Sequence, residues 1–189
     1  MAPQPNSKKM SKRSVFIATS LDGFIAREDG GIDWLPIPDT ESEEGEDYGY
    51  NDFIKSIDAL VMGRNSFELV LSFDEWYYGD MPVFVLTNRG VEIPEKLSKT
   101  VSQLSGEPKE IVEKLAEKGY HNLYIDGGKT IQGFLNAGLI EEITITTIPV
   151  LIGTGIPLFG PTNRDIPLKL VESHSFADQL IQTRYIVQE

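Results

Sequence analysis

Cysteine is missing altogether from this 189-residue sequence. That removes a disulfide framework, a thiolate nucleophile and a cysteine-ligated zinc site at once. Histidine is nearly missing: His121 and His174 are the only two, far apart in the chain. A histidine-rich metal centre is therefore excluded, no metal is expected, and a serine–histidine hydrolase is disfavoured. Basic residues are also scarce, with 17 Lys and Arg against 29 Asp and Glu and a formal net charge of −12. A nucleic-acid binder needs a basic face to displace counterions, so no nucleic-acid partner is expected. No apolar run approaches the roughly 20 residues that span a bilayer, so no membrane partner is expected either.

What is present reads as one domain. With 40% hydrophobic and 24% charged residues, the chain can bury a sizeable core. Residues 1–12 are basic and polar, lead into no signal-peptide core and read as a disordered arm, which makes the cytoplasm the default location. The domain then occupies residues 13–189.

Strands are expected at 14–19 (SVFIAT), 58–63 (DALVMG), 82–87 (PVFVLT), 122–126 (NLYID) and 142–152 (EITITTIPVLI). Helices are expected around Tyr50, Phe53, Ile54 and Ile57, from Arg64 onward, over 107–118, and from Gly127 to a stop at Gly138. An acidic stretch at 38–47 reads as a solvated loop or helix-entry face, 90–106 as a polar or extended stretch, and Trp76, Tyr77 and Tyr78 as a surface loop without a role. Residues 168–176 and 179–187 alternate in polarity around Ala177-Asp178 and form an expected hairpin. Strands alternating with helices indicate an α/β fold: a central, mixed, mostly parallel sheet with helices on both faces and an antiparallel C-terminal hairpin.

Two strand-to-helix junctions carry chemistry. At Gly63-Arg64-Asn65-Ser66 and at Gly127-Gly128-Lys129-Thr130, glycine, a basic residue and a hydroxyl residue meet at a helix start. Glycine lets a ligand approach the backbone, the first N–H groups point outward, and the helix dipole favours negative charge. Two such starts on neighbouring strands would grip a dinucleotide. Neither matches the G-x-G-x-x-G or P-loop pattern. A third strand exit, Thr87-Asn88-Arg89, offers a guanidinium that with Arg64 suits a ribose 2′-phosphate, selecting NADPH over NADH. With no nucleophile–base pair and no metal cluster, hydride transfer from a cofactor is the chemistry that asks least of the protein.

Four motifs in order extend this reading: Ala18-Thr19-Ser20-Leu21-Asp22-Gly23, Gly31-Ile32-Asp33-Trp34-Leu35, Met62-Gly63-Arg64-Asn65-Ser66-Phe67-Glu68 and Asp126-Gly127-Gly128-Lys129-Thr130-Ile131. Together they resemble the reductase domain of bacterial riboflavin biosynthesis and its stand-alone relatives, which share the dihydrofolate-reductase-like three-layer fold. The resemblance runs from residue 14 onward. It implies that Ala18 contacts the nicotinamide carboxamide through its backbone and that Trp34 sits beside the nicotinamide. Gly63, Arg64, Asn65 and Ser66 would receive the pyrophosphate and neighbouring ribose, and Thr87, Asn88 and Arg89 the 2′-phosphate side. Gly127, Gly128, Lys129, Thr130 and Ile131 would cradle the phosphate nearest the nicotinamide. Asp126 matches a position that contacts substrate, with Asp22 and Asp33 as further candidates for that pocket. Relatives are commonly dimeric, and the 143–152 run and closing hairpin are apolar enough for a homodimer.

The chain also departs from that family. It carries no zinc-deaminase motif, and carboxylates fill 39–47, where the family meets a substrate phosphate with arginines. Like charges there repel at about 1 kcal/mol or more per close contact. The expected activity is thus NADPH-dependent reduction of a small pyrimidine- or pterin-like heterocycle, with Asp126 as the candidate catalytic acid. The alternatives are a non-catalytic NADPH-binding protein, the riboflavin-pathway reductase itself, or a dihydrofolate reductase.

Overall fold

The computed structural model describes residues 11–35, 47–176 and 179–188. Most of the acidic segment at 39–47, the first ten residues of the expected arm and the hairpin residues Ala177 and Asp178 lie outside them.

The centre of the sheet is β1 (Lys12–Ser20), paired in parallel with β6 (Asn122–Asp126) on one side and β7 (Glu142–Ile148) on the other. Beyond β6 lie β3 (Ala59–Gly63), β4 (Val83–Leu86) and β5 (Val101–Leu104), all parallel. Beyond β7 come β10 (Ile181–Val187), antiparallel to β7, and β9 (Leu168–Ser175), antiparallel to β10, giving the order β5-β4-β3-β6-β1-β7-β10-β9. A separate two-stranded sheet joins β2 (Phe24–Ala26) to β8 (Ile156–Pro157).

Helices α1 (Tyr50–Lys55), α2 (Arg64–Leu71), α3 (Pro108–Glu117) and α4 (Gly128–Asn136) cover both faces. Strand alternation decides which residues meet which helix. Val61, Phe84, Leu123, Ile125 and Ile143 face α3 and α4 through Ile111, Leu115, Ile131 and Phe134. Leu60, Met62, Val83, Val85 and Tyr124 face α1 and α2 through Phe53, Ile54 and Phe67. Because both faces are covered, the four residues Ala59 to Met62 have no exposed surface. That explains why β3 reads as a continuous apolar run.

The differences from the sequence reading are local. β1 starts at Lys12, inside the expected arm, because its N–H bonds the His121 carbonyl and it pairs with Asn122. β7 ends at Ile148, before Pro149, rather than at 152, since proline has no N–H for a ladder. Within 90–106 lie a 3-10 turn at Glu95–Leu97 and the edge strand β5. Gly138 follows α4 at φ 67, and the Leu139 N–H closes onto the Phe134 carbonyl, as a helix stop requires.

Candidate functional site

Parallel neighbours end at the same edge of the sheet, so the exits of β4, β3, β6 and β1 lie side by side. With about 4.8 Å between strands, the three intervals span ~14 Å, on the scale of an extended dinucleotide. Thr87, Gly63, Asp126 and Ala18 stand near these exits in that order.

The two glycine-led helix starts interlock. A Cβ on Gly127 would lie 2.5 Å from Ser66 Oγ and 3.7 Å from the Gly63 nitrogen, and one on Gly63 would lie 3.0 Å from Thr130 Oγ1. Gly127, at φ 90 and ψ 138, occupies backbone space that is essentially glycine-only. Neither α2 nor α4 has a side-chain cap, and neither has an acidic residue in its first turn. Their leading N–H groups and dipole ends are thus left for an anion.

The other residues of the two junctions divide by exposure. Arg64 is partly exposed and pairs with Glu68 at 3.5 Å, Asn65 and Lys129 are exposed, and Ser66 is partly buried. Ile131 is fully buried in the core, so its side chain anchors α4 and presents nothing to a ligand. Gly128 is buried under the small sheet, where a Cβ would come within 3.2 Å of Ile25 Cδ1 and the Pro157 carbonyl. At the β4 exit, Thr87 Oγ1 accepts the Arg89 N–H at 3.2 Å, and Asn88 and Arg89 point into solvent. Ala18 is partly exposed and pairs with Thr146 of β7.

Asp126 ends β6 beside Met62, one residue before the cradle glycine. Burial raises its carboxyl from the ordinary 3.8 to about 6, against the opposing pull of the Gly127 N–H. Three tyrosines lie within its field. Tyr50 is pushed up to about 12 by burial and then by the Asp126 charge; Tyr78 and Tyr124 are raised further by the same causes.

The sequence reading misplaced one of these tyrosines, Tyr78, and the neighbouring Trp76. Of the expected surface loop only Tyr77, at 70% exposure, fits that description. Trp76 and Tyr78 turn inward onto the core, and Trp76 Nε1 is buried without a hydrogen-bond partner. The available signal was three adjacent aromatics, too many for a solvated loop.

The two further carboxylates expected in the pocket, Asp22 and Asp33, also bond within the loops. Asp22 accepts the Ser20 hydroxyl at 2.6 Å and the Gly153 N–H at 2.8 Å, tying the turn after β1 to the segment after β7. Those bonds, the Ser20 hydroxyl first, lower its pKa. Asp33 is exposed and bidentate to Arg27, at 2.5 and 2.8 Å, which lowers its pKa likewise. Trp34 lies in the turn after β2 with its Nε1 buried and unpartnered.

Among the described residues, no group of three or more His, Cys, Asp or Glu could hold a metal, and no helix is long and apolar enough to cross a membrane. A cavity of about 540 Å³ lies apart from the cradle, between α1 and the β7-β10-β9 end of the sheet. Its Arg184 is already paired with Glu142 and Glu172.

Comparison with known proteins agrees with this architecture. YwjB of Bacillus subtilis (strain 168), an uncharacterized protein, is 33% identical over 178 residues, 93% of this chain and 97% of that one. A crystal structure from Shewanella sp. PV-4, of a protein named for riboflavin biosynthesis, has 41% identity and a TM-score of 0.84, covering 95% of this chain and 100% of that one. Dihydrofolate reductase from Enterococcus faecalis, solved with NADP(H), superposes with a TM-score of 0.66 at 16% identity, covering 94% and 97%. That likeness shows a dihydrofolate-reductase-like fold. Residues 14–182 match the family model of the RibD C-terminal domain, a span that contains the interlocked helix starts, Asp126 and every strand exit described above. On sequence and architecture together, this chain belongs to the RibD C-terminal domain family.

Proposed function

We propose that the protein is a cytoplasmic, NADPH-dependent reductase of a small planar heterocycle. The interlocked helix starts at Gly63 and Gly127 support this most strongly, being uncapped, free of first-turn acids and flanked by Arg64 and Arg89. The residues present fit the cofactor. Ser66, Thr130 and the first N–H groups of α2 and α4 would hold its phosphates, Arg64 with Thr87 and Arg89 its 2′-phosphate, and the Ala18 backbone its carboxamide. When bound, NADPH supplies a hydride. Asp126, with a pKa of about 6, can hold or release a proton near neutral pH beside that site. It would anchor the substrate ring, deliver the proton that reduction requires, or do both. The activity screen is NADPH oxidation against aminopyrimidines and dihydropteridines.

The 2′-phosphate assignment has its own test. Charge-assisted hydrogen bonds contribute about 1.5–3 kcal/mol, so Arg64→Ala and Arg89→Ala should each weaken NADPH binding by about tenfold or more and leave NADH binding nearly unchanged. A fluorescence titration of NADPH reads this directly. Unaltered NADPH affinity in the double variant contradicts the assignment.

The same reading includes a homodimer. β9 presents an unpaired outer edge and is exposed along its whole length, with Leu170 at 53% and Val171 at 45% exposure. An apolar open edge of this kind calls for a partner strand or face. Sedimentation velocity at micromolar concentration should give twice the chain mass. A monomer contradicts this part of the reading.

A further inference from the structure

Asp126 stands between two aromatic flanks, and each ends in a phenol. On one side, Tyr124 shares the face of β6 with Asp126, being two residues away. The Phe53 ring meets Tyr124 edge-on at 5.0 Å, and Tyr50 lies 5.6 Å from Phe16 and 6.4 Å from Phe53. On the other side Phe67 of α2 meets Trp76 at 5.9 Å, and Trp76 meets Tyr78 at 5.3 Å. Met62, the register partner of Asp126, belongs to the same cluster.

The polar tips of this cluster differ in what they do. Tyr124 donates its hydroxyl to the Phe16 carbonyl at 2.7 Å. Among the described residues, the hydroxyls of Tyr50 and Tyr78 form no hydrogen bond. Both pack with Met62 and Tyr124 in the cluster on the face of the sheet that carries Asp126, and the charge of Asp126 raises the pKa of each.

We propose that Tyr50 and Tyr78 are substrate-recognition residues that, with Asp126, select a neutral, unphosphorylated lactam-type heterocycle. This rests on the reading of Asp126 as the substrate-side group of the reductase site. The chemistry follows from the donor set. An ionised Asp126 accepts the ring N–H of a lactam, and the phenols, protonated throughout the physiological range, donate to its carbonyl or ring nitrogen. The flat rings of Tyr50, Tyr78 and Trp76 suit a planar ligand. A phosphate on the ligand would meet the Asp126 carboxylate at close range and be repelled. Specificity of this kind arises because a site built to hydrogen-bond penalises a ligand that leaves its groups unpaired.

The test uses tryptophan fluorescence, since Trp76 beside Tyr78 is one of only two tryptophans in the chain. The purified full chain is titrated with 6-aminouracil as the neutral lactam and with uridine 5′-monophosphate as the phosphorylated comparator. Wild type should bind 6-aminouracil at least tenfold more tightly than the monophosphate. Tyr78→Phe and Tyr50→Phe keep both rings in place, so the fold is retained. Each should weaken 6-aminouracil binding about five- to tenfold, the loss of one hydrogen bond, with NADPH affinity within twofold of wild type. Wild-type affinity for 6-aminouracil in both variants overturns the proposal, as does preference for the monophosphate or failure of wild type to bind 6-aminouracil. Failure of wild type to bind NADPH, with tyrosine-dependent 6-aminouracil binding intact, overturns the cofactor reading and leaves this one standing.

Discussion

Gly127→Ala should abolish measurable NADPH binding and lower the melting temperature together. The added methyl meets both a displaced hydroxyl and a strained backbone. Its Cβ would lie 2.5 Å from Ser66 Oγ, and the backbone at φ 90 and ψ 138 costs a non-glycine residue about 1–3 kcal/mol. For a domain of this size that corresponds to a drop of roughly 2–12 °C. The larger effect falls on the ligand. To admit the methyl, the Ser66 hydroxyl must leave its place over Gly127 and the strained backbone must relax, so that the N–H groups of the two helix starts no longer converge on one anion. A loss of at least about a hundredfold in NADPH affinity is expected from misplacing several charge-assisted contacts. Gly119→Ala separates strain from cradle: Gly119 has a similar φ of 91 but nothing within 4 Å of its Cβ position. That variant should lose stability and keep its NADPH affinity. Thermal unfolding beside an NADPH titration reads both effects, and normal affinity in Gly127→Ala contradicts the cradle.

Asp126→Asn should yield a protein that is more stable at alkaline pH and nearly inactive. Burial holds the carboxyl pKa at about 6 against an ordinary 3.8, so the folded chain binds this proton more tightly than the unfolded chain. Between about pH 4 and 6 the folded state carries the extra proton, and stability falls as pH rises through that window. Above it, the ionised carboxylate costs on the order of 1–3 kcal/mol. Asparagine carries no such charge. Denaturant unfolding should therefore favour the variant at pH 8, with the advantage fading as pH approaches 4. Removing a positioned acid typically lowers turnover by about 10²–10⁴-fold, and the pH profile should lose its limb near 6. Lower stability at pH 8, or retained turnover with the panel substrates, contradicts this role for Asp126. A residue that costs stability and supports turnover is what a working site predicts.

Much of the architecture was legible because the signals were periodic. Residues 58–63, 82–87 and 122–126 are apolar runs buried on both faces, and each emerged as a parallel strand close to its expected bounds. The hairpin at 168–187 was legible from alternation. What escaped had little pattern to show. β5 has four residues, of which only Val101 is fully buried, and β2 and β8 have three and two; such edges are defined by their partners and not by their own residues.

The site divides similarly. Gly63, Ser66, Gly127 and Thr130 could be read locally because the chemistry of a helix start is local. That Ser66 lies over Gly127 and Thr130 over Gly63 could not, since it depends on β3 and β6 being neighbours. Asp22 and Asp33 carry the right charge for a substrate pocket, and their bonds to Ser20, Gly153 and Arg27 depend on turns that spacing alone does not display. Tyr50 and Tyr78 join the cluster beside Asp126 from segments 76 and 48 residues away in the chain, a convergence that no window of sequence displays.

On the proposed reading, four adjacent strand exits form one seat for a 2′-phosphorylated dinucleotide. Isothermal titration of the purified chain with NADPH and, separately, with NADH tests it most directly. One NADPH per chain, bound at least tenfold more tightly than NADH, is the predicted result. No heat of binding with either nucleotide up to millimolar concentration, or equal affinity for the two, would contradict it.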